Sequence, residues 1–599
     1  MNVQSRGACC AVLISFATLL SGCDLPEFMQ NDASATTSKP PSAKSDVSTA
    51  SPRRVGASRR RVVLRGAAAP AAKTIAGLAL APPAQDSDLR AALQAAIDGA
   101  SNGDIIELPT GRYLLSGEVD VPENRTLTIV GKGRWNEVDG TGTLLYLNQT
   151  APAPDGTIMF NAKQGSNPTF SDFTIRGTPA SFIDKAVGIK LSLASDFRIT
   201  RMRVENFGRA GVDIQHSDTM PHGIVDHNEF YRNYKGDGQG LGYGVVVYAE
   251  NKQWIPDPGF GSGNFIFVED NHFDRHRHAI AAGGAGLYVA RYNYMKDTFI
   301  ASAIDAHEST PGAAPGTGNY YSTRAIEAYN NTIVNTLTKQ LTAITSNTVD
   351  QNGSDSTLSQ FGIGIRGGEA LVHHNTISGY VYGGAIVDNY YRLRADRAYP
   401  MVGQVGYLSG VSGGASHVGR DAVNGNGDFF YWANTFTPHP FTTVPWWYKG
   451  DQPYFNNYSK DAFLLSRDYH VSLAADATGT DYSFKPGYVP YVYPHPRTRL
   501  EIGVPLPHLS GPFASEFRWA VTLPQAVPSL TFSIKGGSGR AALYVRQASI
   551  PTTTSHYCAT TTDPTRAPCV WQNAKAGTYY IMVRGQSDYS DATVNITTP

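Results

Sequence analysis

Arg275, His276, Arg277 and His278 set two guanidinium and two imidazole groups in four consecutive positions, and Arg291 and Lys296 follow. Further on, Ile304, Asp305, Ala306, His307 and Glu308 alternate apolar and polar side chains before a second acidic residue. A cationic cleft suits a polyanion such as a uronate polymer. Cleavage of such a polymer by β-elimination needs a base for the proton beside the carboxylate and a positive charge for the resulting enolate. Histidine titrates in the right range for the first task, and Arg or bound Ca²⁺ suits the second. His307 is the candidate base and His278 the alternate. Arg277 or Arg366 is the charge stabiliser, and Asp305 and Glu250 orient the histidine or hold a metal. Tyr248, Lys190, Arg275 and Arg291 are candidate substrate contacts, and Trp446, in the run Trp446, Trp447, Tyr448, is a stacking surface for sugars. Hydrolysis is the competing chemistry. It needs two carboxylates roughly 5–10 Å apart, and Asp305, Glu308, Asp213, Glu250 and Asp388 are the candidates. Taken singly, each of these side chains also fits a solvated outer face.

The elements that position these residues are repeats. An apolar residue, two variable ones, Asn, one variable and an apolar residue recur at Asn206, Asn228, Asn271, Asn293, Asn331 and Asn375. A spacing near 22, with some coils lengthened, is what a parallel β-helix needs. Asn at a turn tolerates left-handed backbone and hydrogen-bonds to the next coil, so these residues are read as structural. Alternate strand residues point outward. That exposes Lys190, then Asp213 and Gln215, then Tyr248 and Glu250, then Ala281 and Gly283, then Asp305 and His307, then Gly364 and Arg366. The expected surface is a polar column with a shallow floor at Ala281 and Gly283, suited to a sugar ring. A slip of one residue would reverse every assignment.

Residues 88–101 carry apolar side chains at helical spacing and lead into the string GDIIELPTGRY (residues 103–113) and alternating strands. This helix, string and strands resemble the N-terminal cap of pectate-lyase-like right-handed β-helices, which implies a helix covering the open end of the core. The polygalacturonase set (Asn-Thr-Asp, Asp-Asp, Gly-His-Gly) and the pectate-lyase Arg-x-Pro-x-x-Arg motif are absent. Similarity to the chondroitinase B and alginate lyase family extends to the coil and the basic cluster. A uronan epimerase, which would share the proton abstraction, is an alternative on the same fold, but the Asp-Pro-His-Asp motif of mannuronan epimerases is missing and the run Asp305 to Glu308 is only a loose echo of it. A non-catalytic glycan-binding surface protein is the alternative from another class.

The ends of the chain differ in kind. Arg6, an apolar stretch over residues 8–20 and Leu20, Ser21, Gly22, Cys23 resemble a bacterial lipoprotein signal, implying lipidation of Cys23 and a membrane anchor in the cell envelope. Residues 23–80 are polar and rich in Ser, Thr, Ala and Pro, and read as a disordered tether. The β-helix is assigned to 81–400, an aromatic-rich end and covering segment to 401–510, and a small β-sandwich to 511–599. Cys558 and Cys569 are the cysteines left in the folded body, and a pair in an exported chain reads as one disulfide. Residues 529–547, 551–558 and 568–585 resemble the bacterial pre-peptidase C-terminal domain, and the two cysteines match that domain's disulfide. Arg540 and Ala542 stand where that family carries acidic residues. The chain has 50 basic and 50 acidic residues, which argues against a general nucleic-acid binder. The expected fold is thus all-β, a right-handed parallel β-helix followed by a small C-terminal β-sandwich. The expected partners are an anionic polysaccharide and a membrane, with the protein a monomer and no cofactor implied beyond Ca²⁺.

Overall fold

The computed structural model describes residues 84–217, 222–235, 241–249, 257–298, 302–307, 322–337, 361–380, 383–387, 429–438, 454–455, 469–472, 484–563 and 565–599, with Leu80 and Tyr482. Cys23, the tether, Glu250, Glu308, Asp388 and Trp446 lie outside these residues. Among them the body is a parallel β-helix of three sheets. Sheet A has 11 strands, from Asp104–Glu107 to Tyr469–Ser472; sheet B has 10, from Gly111–Leu114 to Thr435–Pro438; sheet C has 10, from Val119–Val121 to Tyr454–Phe455. The helix Arg90–Gly99 buries Leu93 and Ile97 against the first coil and closes the apolar core at that end.

A ladder of buried asparagines joins the coils at the turn between sheets A and B. Each of Asn271, Asn293, Asn331, Asn375 and Asn434 accepts, through Oδ1, the backbone N–H and the side-chain N–H of the Asn one coil earlier, at 2.9–3.1 Å. Each Nδ2, from Asn228 onward, also donates to a strand carbonyl of the preceding coil at 2.8–2.9 Å. Two corrections to the sequence reading follow. The left-handed residue is not the Asn but the one before it: His227, Asp270, Tyr292, Asn330, His374 and Ala433 have φ of 52–57°. The Asn itself is free to aim its amide along the stack. Asn206 does not belong to the ladder. It lies in the next turn of its coil with φ 63°, and Met202 holds the ladder position, donating its N–H to Asn228. Asn434, inside the segment 401–510 and not among the repeats counted in the sequence, continues the ladder.

At the entrance to sheet C the inward positions Gly188, Gly211, Gly244, Ala279, Ala303, Gly362 and Gly384 stack in register. A Cβ on Gly244 would lie 2.6 Å from the carbonyl oxygen of Ala279 and 2.7 Å from the Phe273 ring. The chain corners here, and a larger side chain would push coils apart.

Residues 506–597 form a seven-stranded antiparallel sheet, wrapped about its own core by the 21-residue strand Gly577–Thr597, which pairs with four others. Cys558 and Cys569 are disulfide-bonded, Cα–Cα 5.7 Å. This domain is fastened to the β-helix. Buried Arg134 donates to the carbonyls of Ser510 and His227, and the His227 ring stacks on Trp519 at 4.3 Å while its Nε2 meets the Arg518 carbonyl.

Asn293→Ala would leave the Asn271 amide groups, the Val268 carbonyl and Asn331 Oδ1 short of a partner in a dry turn. It should lower unfolding free energy in denaturant titration by about 3 kcal/mol or more. A loss under about 1 kcal/mol would show that the ladder does not hold the coils.

Candidate active site

The outer face of sheet C is set by strand register. Lys190, Asp213, Val246, Ala281, Asp305 and Gly364 align in one outward row, and Ser192, Gln215 and Tyr248 begin a second. The backbone bonds Gly283 N to Val247 O, His307 N to Ala282 O and Arg366 N to Ala306 O carry that second row through Gly283, His307 and Arg366. Their neighbours Val212, Ile214, Val245, Val247, Ile280, Ala282, Ile304, Ala306, Ile363 and Ile365 all point into the core. Apolar burial on the inner face thus fixes the polar outer one.

Asp305 and Arg366 form the centre. Nε and one terminal nitrogen of Arg366 donate to the two carboxylate oxygens at 3.1 and 2.7 Å, and the Asp305 side chain is 2% exposed. Burial opposes ionisation, but Arg366, with His278 and His307 adding, outweighs it and holds the carboxyl well below the usual range. Gly364 makes room: a Cβ there would lie 2.7 Å from Ser302 Oγ and 2.9 Å from Asp305 Oδ1.

His278 is buried and stacks on Tyr243. Its Nδ1 lies 2.6 Å from the Ser302 carbonyl oxygen, so Nδ1 carries the hydrogen. Nε2 is then a bare lone pair, 4.0 Å from Asp305 Oδ2. Two acceptors face one another across a gap that a water, with its two hydrogens, can bridge. Burial lowers the His278 pKa to about 3, which makes it a weak base near neutrality. His307 is half-buried, within electrostatic reach of Asp305, and anchored through its backbone to Ala282 and Thr323.

The expected floor is roofed. Ala281 is buried in a cluster with Ala210, Tyr243 and Val246, against which Leu241 and Tyr248 pack. The Tyr248 ring lies over Gly283, its Cε1 3.3 Å from where a Cβ would stand. Arg277 is buried at the edge of this patch, donating to Tyr243 Oη at 3.4 Å. Arg209 pairs with Asp213 at 3.1 Å. The sequence reading missed Tyr243 and Arg209. Strict alternation turns Tyr243 inward, and the stacked Gly244 breaks that alternation.

Three expected substrate contacts are placed elsewhere or at a distance. Arg291 is on sheet A and fully buried. It pairs with Glu269 at 2.6 Å, and its other donors take the carbonyls of Tyr491 and Val492, so it is closed to substrate. Arg275 is in the turn after the sheet B strand His272–Asp274, beside Asp274 at 3.6 Å. Lys190 is on the right face but four strand spacings from Asp305, about 19 Å. Among the described residues no group of three or more His, Cys, Asp or Glu is arranged to hold a metal. Asp213 and Asp305 each carry an arginine, so a Ca²⁺ site does not fit these residues.

Because the folded Asp305 pKa is depressed, the ion pair stabilises above the ordinary carboxylate pKa of about 3.9 and that contribution fades as pH falls. Arg366→Leu, which strands the buried carboxylate, should cost about 3–5 kcal/mol near neutral pH and progressively less toward about pH 4, where the carboxyl protonates. A deficit independent of pH in denaturant titrations would contradict the pairing.

No family model matches the chain. The chain is similar to the neutral protease of Vibrio proteolyticus, 37% identical over 95 residues, 16% of this chain and 15% of that protein. It therefore spans well under two thirds of that relative's length. Among solved structures, it is similar to vEP C-ter 100 in solution, with 31% identity over 17% of this chain and 98% of that one, TM-score 0.15. It is also similar to an alginate lyase from Paenibacillus sp. str. FPU-7, with 13% identity over 61% of this chain and 96% of that one, TM-score 0.29.

Proposed function

We propose that the protein cleaves a uronic-acid-containing polysaccharide by β-elimination on the outer face of sheet C. His307 removes the proton beside the carboxylate, Arg366 supplies positive charge for the enolate, and Asp305 fixes the guanidinium plane. One juxtaposition carries this: a half-buried imidazole adjacent to a rigid carboxylate–guanidinium pair. Of the carboxylates named for hydrolysis, the described pair does not suit that reaction. Among the described residues of sheet C, Asp213 shares the row of Asp305 but stands three strand spacings away, about 14 Å, outside the range two hydrolytic carboxylates need. The export signal and Cys23 support a lipid-anchored place in the bacterial envelope, where such polymers are met. The sequence pattern of residues 529–585 and the bonded cysteines support a pre-peptidase-type C-terminal domain.

Alginate, pectate, glucuronan, chondroitin and hyaluronan should be screened for the ultraviolet absorbance of an unsaturated uronate. One of them should give a rise with wild-type protein, and His307→Ala should abolish it by about a hundredfold or more while leaving glycan retardation in gels intact. New reducing ends without absorbance would move the assignment to a hydrolase, and retardation without cleavage to a binding protein.

A further inference from the structure

Elimination needs a second proton transfer that the base does not perform: the oxygen leaving C4 must be protonated as its bond breaks. We infer that Tyr248 is the donor of that proton, an inference that rests on the elimination reading of sheet C.

Position comes first. Tyr248 and His307 stand on either side of Gly283. The ring Cε1 of Tyr248 is 3.3 Å, and Cβ of His307 3.8 Å, from the point where a Gly283 side chain would begin. Base and acid thus stand in the coils on either side of one residue that has no side chain of its own. Electrostatics agree. Burial raises the phenol's proton affinity and Tyr243 and Asp213 add to it, so the hydroxyl keeps its proton at neutral pH. Arg209, paired with Asp213, and Arg277, on the Tyr243 hydroxyl, act the other way and lower the cost of a phenolate formed during the reaction. Other groups on this face are less suited. His278 carries its hydrogen on Nδ1, committed to the Ser302 carbonyl, and presents Nε2 without one. Arg277 and Arg366 stay charged, and Lys190 is about 19 Å from Asp305 along the sheet.

The step balances within the chain. His307 takes the proton from C5, and the C5–H electron pair becomes the C4–C5 double bond. The C4–O bond breaks with its pair on oxygen, and that oxygen takes the proton of Tyr248 Oη. The phenolate is reprotonated through solvent as the imidazolium of His307 gives its proton up, restoring both groups without an added reactant.

Tyr248→Phe removes one oxygen and keeps the ring over Gly283. On whichever uronan the wild type cleaves, kcat should fall about a hundredfold or more with KM little changed. A second substrate separates chemistry from packing: a uronate with a good aryloxy leaving group at C4 needs no proton on departure. Tyr248→Phe should turn it over at close to the wild-type rate. Equal loss on both substrates would assign Tyr248 a merely structural role and overturn the inference, as would a variant that keeps half or more of wild-type kcat on the polymer. If wild type releases no unsaturated product from any uronan, the elimination reading fails and takes this inference with it.

Discussion

The asparagine ladder from Asn228 to Asn434 is the constraint on which the arrangement of the β-helix rests. A parallel coil has to satisfy the backbone groups of every turn without water, and each turn is a place where the strand ladder is interrupted. Each Asn amide takes over from it by accepting two hydrogens from the coil before and donating to a carbonyl there and to the next Asn. Coils of very different length, 22 to 59 residues from one Asn to the next, are thereby held in one register. Insertions are confined to other turns. The rows on sheet C inherit their alignment from this, because a coil that slipped by one residue would bury Asp305 in the core and present Ile304 to solvent.

The charged residues then divide between two faces with different fates. On sheet A they are consumed by structure. Glu269 pairs with Arg291 and accepts the N–H of His495, and Glu327 accepts the hydroxyl of Tyr488. Asp226 binds Arg198 and His227 beneath Trp519 of the C-terminal domain. Charges so deeply buried persist because each has a partner, and their loss would be felt as instability. On sheet C, Asp305 and Arg366 are likewise paired, but His307 and Tyr248 beside them stay part-exposed. A rigid pair next to titratable neighbours is the combination from which proton-transfer chemistry is built.

Much of this was legible in the residues. Alternation with period two identified the outward positions of sheet C because the inward partners are uniformly aliphatic, and burial leaves a strand one choice of face. The capping helix and the C-terminal strands were legible for the same reason, from apolar spacing. What escaped depends on neighbours distant in sequence. Arg291 looks like a member of the basic cluster, and only the stacking that sets Glu269 beside it and the return of residues 491 and 492 across sheet A show that it is paired and covered. Asn206 matches the repeat locally, yet the turn it occupies is decided by how many residues its coil spends in each sheet. Tyr243 escaped because a stack of small residues lets the chain corner and breaks alternation at a single point. The candidate residues were picked out by type; their placement, with Arg366 on Asp305 and Tyr248 across Gly283, is set by register alone.

The central claim is that the bond breaks by proton abstraction and not by attack of water. Cleavage of the accepted polymer in heavy-oxygen water, followed by mass spectrometry of the fragments, tests this directly. The account predicts fragments with an unsaturated terminal uronate and no heavy oxygen bound at the break. Saturated fragments carrying one heavy oxygen at each new reducing end would contradict it and return the chemistry to a pair of carboxylates.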